Sequence, residues 1–196
     1  TGSGAITVGA IAGPASVKSG SGSVQVGRVG GSVDAATGSG SIKVDGSASL
    51  DARTGSGAIT ATAVAGPTRA NSGSGSITIT QAGKGDVEVS AASGGITLAG
   101  VDGAARVNSS SGGIRIDGRP AGAWSLRTSS GGITITVPPD AAFDLDARTN
   151  SGSIDSVHPV TMEVTGKIDK RHVQGKVRGG GPRIEAFCSS GSIRIK

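Results

Sequence analysis

The stretch Gly73-Ser74-Gly75-Ser76-Ile77-Thr78-Ile79 joins a small polar corner to two isoleucines separated by one threonine. A corner of this kind followed at once by a β-branched aliphatic recurs along the chain, as in Gly2-Ser3-Gly4-Ala5-Ile6, Gly38-Ser39-Gly40-Ser41-Ile42, Gly131-Gly132-Ile133 and Ser190-Gly191-Ser192-Ile193. The aliphatic anchors are Ile6, Val24, Ile42, Ile59, Ile77, Ile96, Ile114, Ile133, Ile154 and Ile193, spaced 17 to 21 residues apart with one gap of 39. A fixed period in this range marks a stacked repeat in which each unit buries its apolar face only against its neighbours.

About nine residues after each anchor stands a second alternating pair: Ala15/Val17, Val33/Ala35, Leu50/Ala52, Thr68/Ala70, Val87/Val89, Ala105/Val107, Trp124/Leu126, Phe143/Leu145, Met162/Val164 and Ile184/Ala186. Each repeat therefore holds two short strands with one buried face, because side chains alternate sides along a strand. Between the buried positions of the first strand stand Thr7, Gln25, Lys43, Thr60, Thr78, Thr97, Arg115 and Thr134, which face water. The corners suit turning, since glycine tolerates positive φ and Ser, Thr and Asn bond their own backbone. No segment shows apolar residues at three-four spacing over ten positions, and Gly and β-branched residues are poor helix formers.

The expected fold is all-β: a single-stranded parallel β-helix (β-solenoid) of about ten coils of roughly 18–19 residues, with two strands per coil. The unbroken repeat makes residues 1–196 one domain, with an irregular basic C-terminal coil at about 156–183 and a final strand at 190–196. One anchor is expected inside the long gap, at Val173 or Val177. The 36 glycines would suit a low-complexity segment, but the few apolar residues all fall where stacking buries them. Trp124 and Phe143 read as successive members of one column, which predicts a wider final third of the rod.

Lys167, Lys170, Arg171, Lys176, Arg178 and Arg183, against Asp169 alone, carry a charge equal to the net +5 of the whole chain. These residues are a candidate anion- or surface-binding patch, beside the plainer reading of a solvated, irregular coil. No hydrophobic run has the length of a membrane span, and no specific nucleic-acid signal is present. Any export signal or anchor is expected outside this chain.

Nothing in the pattern selects catalytic, cofactor or metal residues. The Gly-Ser-Gly corners precede strands, whereas phosphate loops follow a strand and open a helix. Calcium-binding rolls carry an Asp after the glycines, where this chain has Ser, Ala or Ile. His158 and His172 lack close ligand partners, and Asp144 and Asp146 alternate with Phe143 and Leu145 as on an exposed strand face. Cys188, the single cysteine, forms no intrachain disulfide and reads as a small residue of the last strand. The Thr column is too interrupted by Gln25, Lys43, Arg115, Asp155 and Arg194 to be an ice-matching face.

The runs Ser109-Ser110-Ser111-Gly112-Gly113-Ile114-Arg115-Ile116 and Ser129-Ser130-Gly131-Gly132-Ile133-Thr134, with Gly179-Gly180-Gly181-Pro182-Arg183-Ile184 before the last strand, resemble the bacterial adhesin-type domains of unknown function. That resemblance implies a Gly/Ser-rich β-solenoid in an envelope or extracytoplasmic protein, with no catalytic residues to transfer. The reading is a non-catalytic, adhesin-like structural module whose partners are an anionic surface or a glycan. Two alternatives stand beside it. One is a self-associating scaffold similar to the bactofilins, joined through solenoid ends. The other is a glycan-binding solenoid, which the lack of Tyr and of exposed aromatic platforms disfavours.

Overall fold

In the computed structural model, which describes residues 1–158, 160–161 and 171–196, the chain is a parallel β-solenoid. The first coil is β1 (Ile6–Val8) and β2 (Ala15–Ser19), the second β3 (Val24–Arg28) and β4 (Ser32–Thr37), and the third β5 (Ile42–Gly46) and β6 (Ser49–Thr54). Then come β7 (Ile59–Val64) with β8 (Thr68–Ser72), and β9 (Ile77–Gln81) with β10 (Val87–Ser93). The sixth and seventh coils are continuous strands, β11 (Ile96–Ser111) and β12 (Ile114–Ser130). Beyond them lie β13 (Ile133–Thr136), β14 (Phe143–Ser151), β15 (Ile154–Ser156), β16 (Val160–Thr161), β17 (His172–Val177), β18 (Arg183–Ser190) and β19 (Ile193–Ile195).

The anchors form one ladder. Ile6 pairs with Val24, Val24 with Ile42, Ile42 with Ile59 and Ile59 with Ile77; Ile77 pairs with Ile96, Ile96 with Ile114 and Ile114 with Ile133. From Val24 onward each of these residues is at most 2 % exposed, so each large aliphatic contributes about 1.5–3 kcal/mol on burial. The second column stacks likewise from Ala15 to Trp124. A third, narrower row was not foreseen: bridges join Ile11 to Val29 and Ser47 to Val64, and Val29, Ser47, Val64 and Val101 are buried along it.

Continuous winding ends after about seven turns, fewer than the ten expected. The last levels are laid down out of order. Ile133 pairs not with Ile154 but with Ile193, and Ile193 in turn pairs with Ile154. Trp124 pairs with Ile184, and Ile184 with Leu145. The chain thus skips one level, builds β14 and β15 above the vacant place, and returns with β18 and β19 to fill it.

Three expectations are corrected by this insertion. Val173 and Val177 are no hidden anchor, because β17 runs antiparallel to β14, opposing Val173 to Ala147 and Val177 to Phe143. The pair in register with Ile184/Ala186 is Leu145/Ala147 rather than Phe143/Leu145. Trp124 and Phe143 are therefore not successive members of one column. Trp124 instead donates its indole N–H to the carbonyl of Gly103 at 3.0 Å, which satisfies it in a fully buried site. The Met162/Val164 pair lies outside the described residues.

The corners show why glycine recurs. At Gly22, Gly40, Gly57 and Gly75 a Cβ would lie within 3.0 Å of the backbone of the preceding coil, at Gly4, Gly22, Gly40 and Gly57. Close backbone approach, rather than positive φ, makes glycine obligatory there. Positive φ enters from Gly94 onward, at Gly94, Gly131, Gly152 and Gly191. Inside the same corners runs a polar ladder. Thr54 donates its hydroxyl to the carbonyl of Gly40 at 2.9 Å and accepts the N–H of Gly57 at 3.0 Å; Ser19, Thr37 and Ser72 repeat the arrangement. Each hydroxyl satisfies two buried backbone groups that sheet pairing leaves over.

Candidate functional site

Alternation that buries Ala15 and Val17, and their equivalents, turns the intervening residues of the second sheet outward. One outward column reads Lys18, Ala36, Arg53, Asn71, Ser90, Asn108, Arg127, Phe187 and Arg148, each in register with the next. Beside the corner residues this column lines a groove of about 1020 Å³ along the rod. Its charged lining is cationic throughout: Lys18, Arg53 and Arg127. A second groove of about 660 Å³ lies on the other side of the same sheet face, where Asp34, Asp51, Asp86 and Glu88 outnumber Arg69 and Arg106. The sheet thus sorts charge into two parallel tracks.

One ion pair bridges the two tracks and another lies within the acidic one. Arg53 reaches Asp51 at 2.7 Å and Arg69 reaches Glu88 at 2.8 Å, both on the exposed face. Pairs this exposed contribute little to stability. Lys18 and Arg127 have no acidic partner among the described residues.

The cationic groove runs on past Arg127 and Phe187 into a pocket of about 310 Å³ that also holds Asp146, Arg148, Arg183 and Glu185. Asp146 organises this end. Its Oδ1 accepts from Arg148 Nε at 2.9 Å and faces His172 Nε2 at 3.2 Å, while its Oδ2 accepts from Arg148 Nη2 at 3.1 Å and Arg183 Nη2 at 3.2 Å. Burial pushes the Asp146 carboxyl upward, but the bonds and charge of Arg148 and then of His172 outweigh it, leaving the carboxyl below its ordinary value. The expectation that Asp146 stands on an exposed face is corrected: β17 packs against β14, and the residue is 8 % exposed. Asp144 is half-buried, with an Oδ1 that has no partner.

Of the six basic residues of the C-terminal segment, Arg171, Lys176, Arg178 and Arg183 are described. Lys167 and Lys170 lie outside the described residues. Arg171 immediately precedes β17, and its carbonyl accepts the N–H of Thr149 at 2.8 Å. Lys176 is exposed opposite Asp144, and Arg178 turns the chain with φ of 51°. Arg183 lines the terminal pocket, bound to Asp146 and, at 2.8 Å, to Glu185.

Phe187 is the residue that sequence reasoning missed. It follows Ile184 and Ala186 at odd spacing, so the alternation already turned it outward. Its register neighbours on the two adjacent strands are Arg127 and Arg148. Cys188, next along, points inward at the corner position that holds Ser, Thr or Ala in the other coils, and its Sγ lies 2.9 Å from the carbonyl of Gly131. Burial raises its thiol pKa, against smaller opposing effects of Thr149 and Ser190, so it is held as the unreactive thiol.

His158 is buried with Nε2 unpartnered, its ring edge-on to Phe143 at 6.2 Å. Among the described residues no three His, Cys, Asp or Glu side chains converge as metal ligands.

Fold and surface together define a parallel β-solenoid bearing an elongated cationic groove. The chain belongs to the Toastrack DUF4097 family, a domain family of unknown function, whose model matches residues 31–196. Searches of the curated proteins and of the solved structures return no match.

Proposed function

We propose that this domain is a non-catalytic, adhesin-like interaction module of a bacterial envelope protein, and that it engages extended anionic ligands through the second sheet. The observation that carries this reading is the sorted charge of that sheet, with Lys18, Arg53 and Arg127 along one groove and no carboxylate in its lining. A low-dielectric wall on either side of such a track focuses its field on anions. A groove crossing coil after coil suits a chain-like ligand better than a compact one.

A self-associating scaffold is the second reading. Parallel stacking of copies is opposed at one end of the second sheet, where β17 runs antiparallel to β14 and breaks the parallel ladder, with the two-residue β16 pairing antiparallel to β17. That arrangement supports a discrete module. Retention on carboxylated and phosphorylated polymer beads at low ionic strength, with elution as salt rises, is the expected result. Passage without retention, or filaments in electron micrographs, would overturn the reading.

A further inference from the structure

Resting on the interaction reading above, we infer that the cationic groove holds a linear acidic polysaccharide, with Phe187 between Arg127 and Arg148 as the subsite that reads one uronate ring. Three observations lead there. The first is periodicity. From Lys18 to Phe187 the outward column advances one residue per coil over eight levels in unbroken register. At the usual strand spacing of about 4.8 Å that is roughly 34 Å. One coil advances the surface by close to the length of one pyranose unit, so an extended glycan meets an equivalent position at every ring.

The second observation is the chemistry of that column. Asn71, Ser90 and Asn108 occupy three successive levels, all half-buried in the groove. Each offers hydrogen-bond groups of the kind that match sugar hydroxyls. Cations stand only at Lys18, Arg53 and Arg127 among the groove-lining residues, with one level between the first two and three between the last two. That sparseness fits a polymer of low charge density. An extended uronan presents a single carboxylate per ring and so per level, whereas polyphosphate, with its shorter charged repeat, crowds more anions against each level and leaves more of them unmatched.

The third is the end of the groove. Phe187 lines both the groove and the terminal pocket, half-exposed, with an arginine on each neighbouring strand. An apolar ring face gives a sugar ring its stacking surface, and an arginine fork matches a carboxylate with two parallel hydrogen bonds. Arg148 is held in place by both oxygens of Asp146, while Arg127 has no acidic partner among the described residues and is available to the ligand. Phosphate recognition has no use for the aromatic. A sugar acid uses both.

Binding of sodium polygalacturonate by affinity electrophoresis tests this, with its fully methyl-esterified form, dextran and polyphosphate as comparison polymers. The expected result is retardation by polygalacturonate at least tenfold stronger than by the ester or dextran. Phe187→Ala and Arg127→Ser should each weaken it about tenfold, Phe187→Tyr should restore it, and Arg106→Ser, a charge-matched change in the other groove, should leave it unaltered. Thermal midpoints of all variants within a few degrees of the parent exclude misfolding. If polyphosphate binds as tightly as polygalacturonate and Phe187→Ala changes neither, the groove is a general anion track: this inference fails while the interaction reading stands. If no anionic polymer is retarded, both fail.

Discussion

At the scale of single residues, the corners separate two roles for glycine that the sequence shows alike. Gly57 carries its hydrogen where a methyl would overlap the backbone of Gly40 and Ser41, whereas Gly9 has nothing within 4 Å. Gly57→Ala should cost about 1–3 kcal/mol or more by forcing adjacent coils apart, and Gly9→Ala should be neutral to mildly stabilising; urea midpoints compare them. The corner hydroxyls bear a similar load. Thr54→Val would orphan the Gly40 carbonyl and the Gly57 N–H in a buried corner and should cost about 1–3 kcal/mol, with Thr54→Ser largely neutral in the same titration. Asp146 makes stability depend on acid. Because its folded carboxyl lies below the ordinary value, the stabilisation is complete above the unfolded value of about 3.9 and is lost as pH falls through the lower folded value. Asp146→Asn should therefore flatten the fall in thermal midpoint below about pH 4 while lowering the midpoint near neutrality.

At the scale of elements, most strands are short, and the inner ones are secured by the two that flank them. Ile96 sits 1 % exposed between Ile77 and Ile114 in the middle of the first ladder. Ile96→Asp would bury an unpaired carboxylate there and is expected to cost more than about 4 kcal/mol; a thermal midpoint close to the parent's would remove Ile96 from the core. The anchors up to Ile133, the second column up to Trp124 and the outward Thr column could be read from alternation and period, because each depends only on neighbours one coil away. Corner chemistry was half legible. Gly and Ser at a turn are expected, but the need for Gly at 22, 40, 57 and 75 comes from the coil below, which no local rule describes.

At the scale of the whole molecule, the insertion of β18 and β19 sets the final architecture. Residues 183–196 pair with β12 and β13 on one side and with β14 and β15 on the other. Closing this slot joins Trp124 to Ile184 and Ile133 to Ile193 across long stretches of chain, at a cost in loop-closure entropy. Deleting residues 183–196 should leave two exposed strand edges, and light scattering should then show concentration-dependent association that the intact chain lacks. Slow amide exchange should persist in the coils from Val24 to Ile96, which do not touch the deleted strands.

The repeat, the strand alternation and the inward and outward columns were written in the order of residues, since a period near 18 and a side-chain period of two are properties of consecutive chain. Phe187 belonged to that legible part, its outward direction following from Ile184 and Ala186, although its setting between two arginines did not. The order of the last levels was not legible. Any Gly-Ser-Ile corner can stack on any other, so Ile133, Ile154 and Ile193 are locally equivalent, and long-range closure alone placed Ile193 between the other two. The burial of Asp146 has the same origin: its strand alternates like an exposed one, and only the antiparallel return of β17 and the arrival of Arg183 took it out of water.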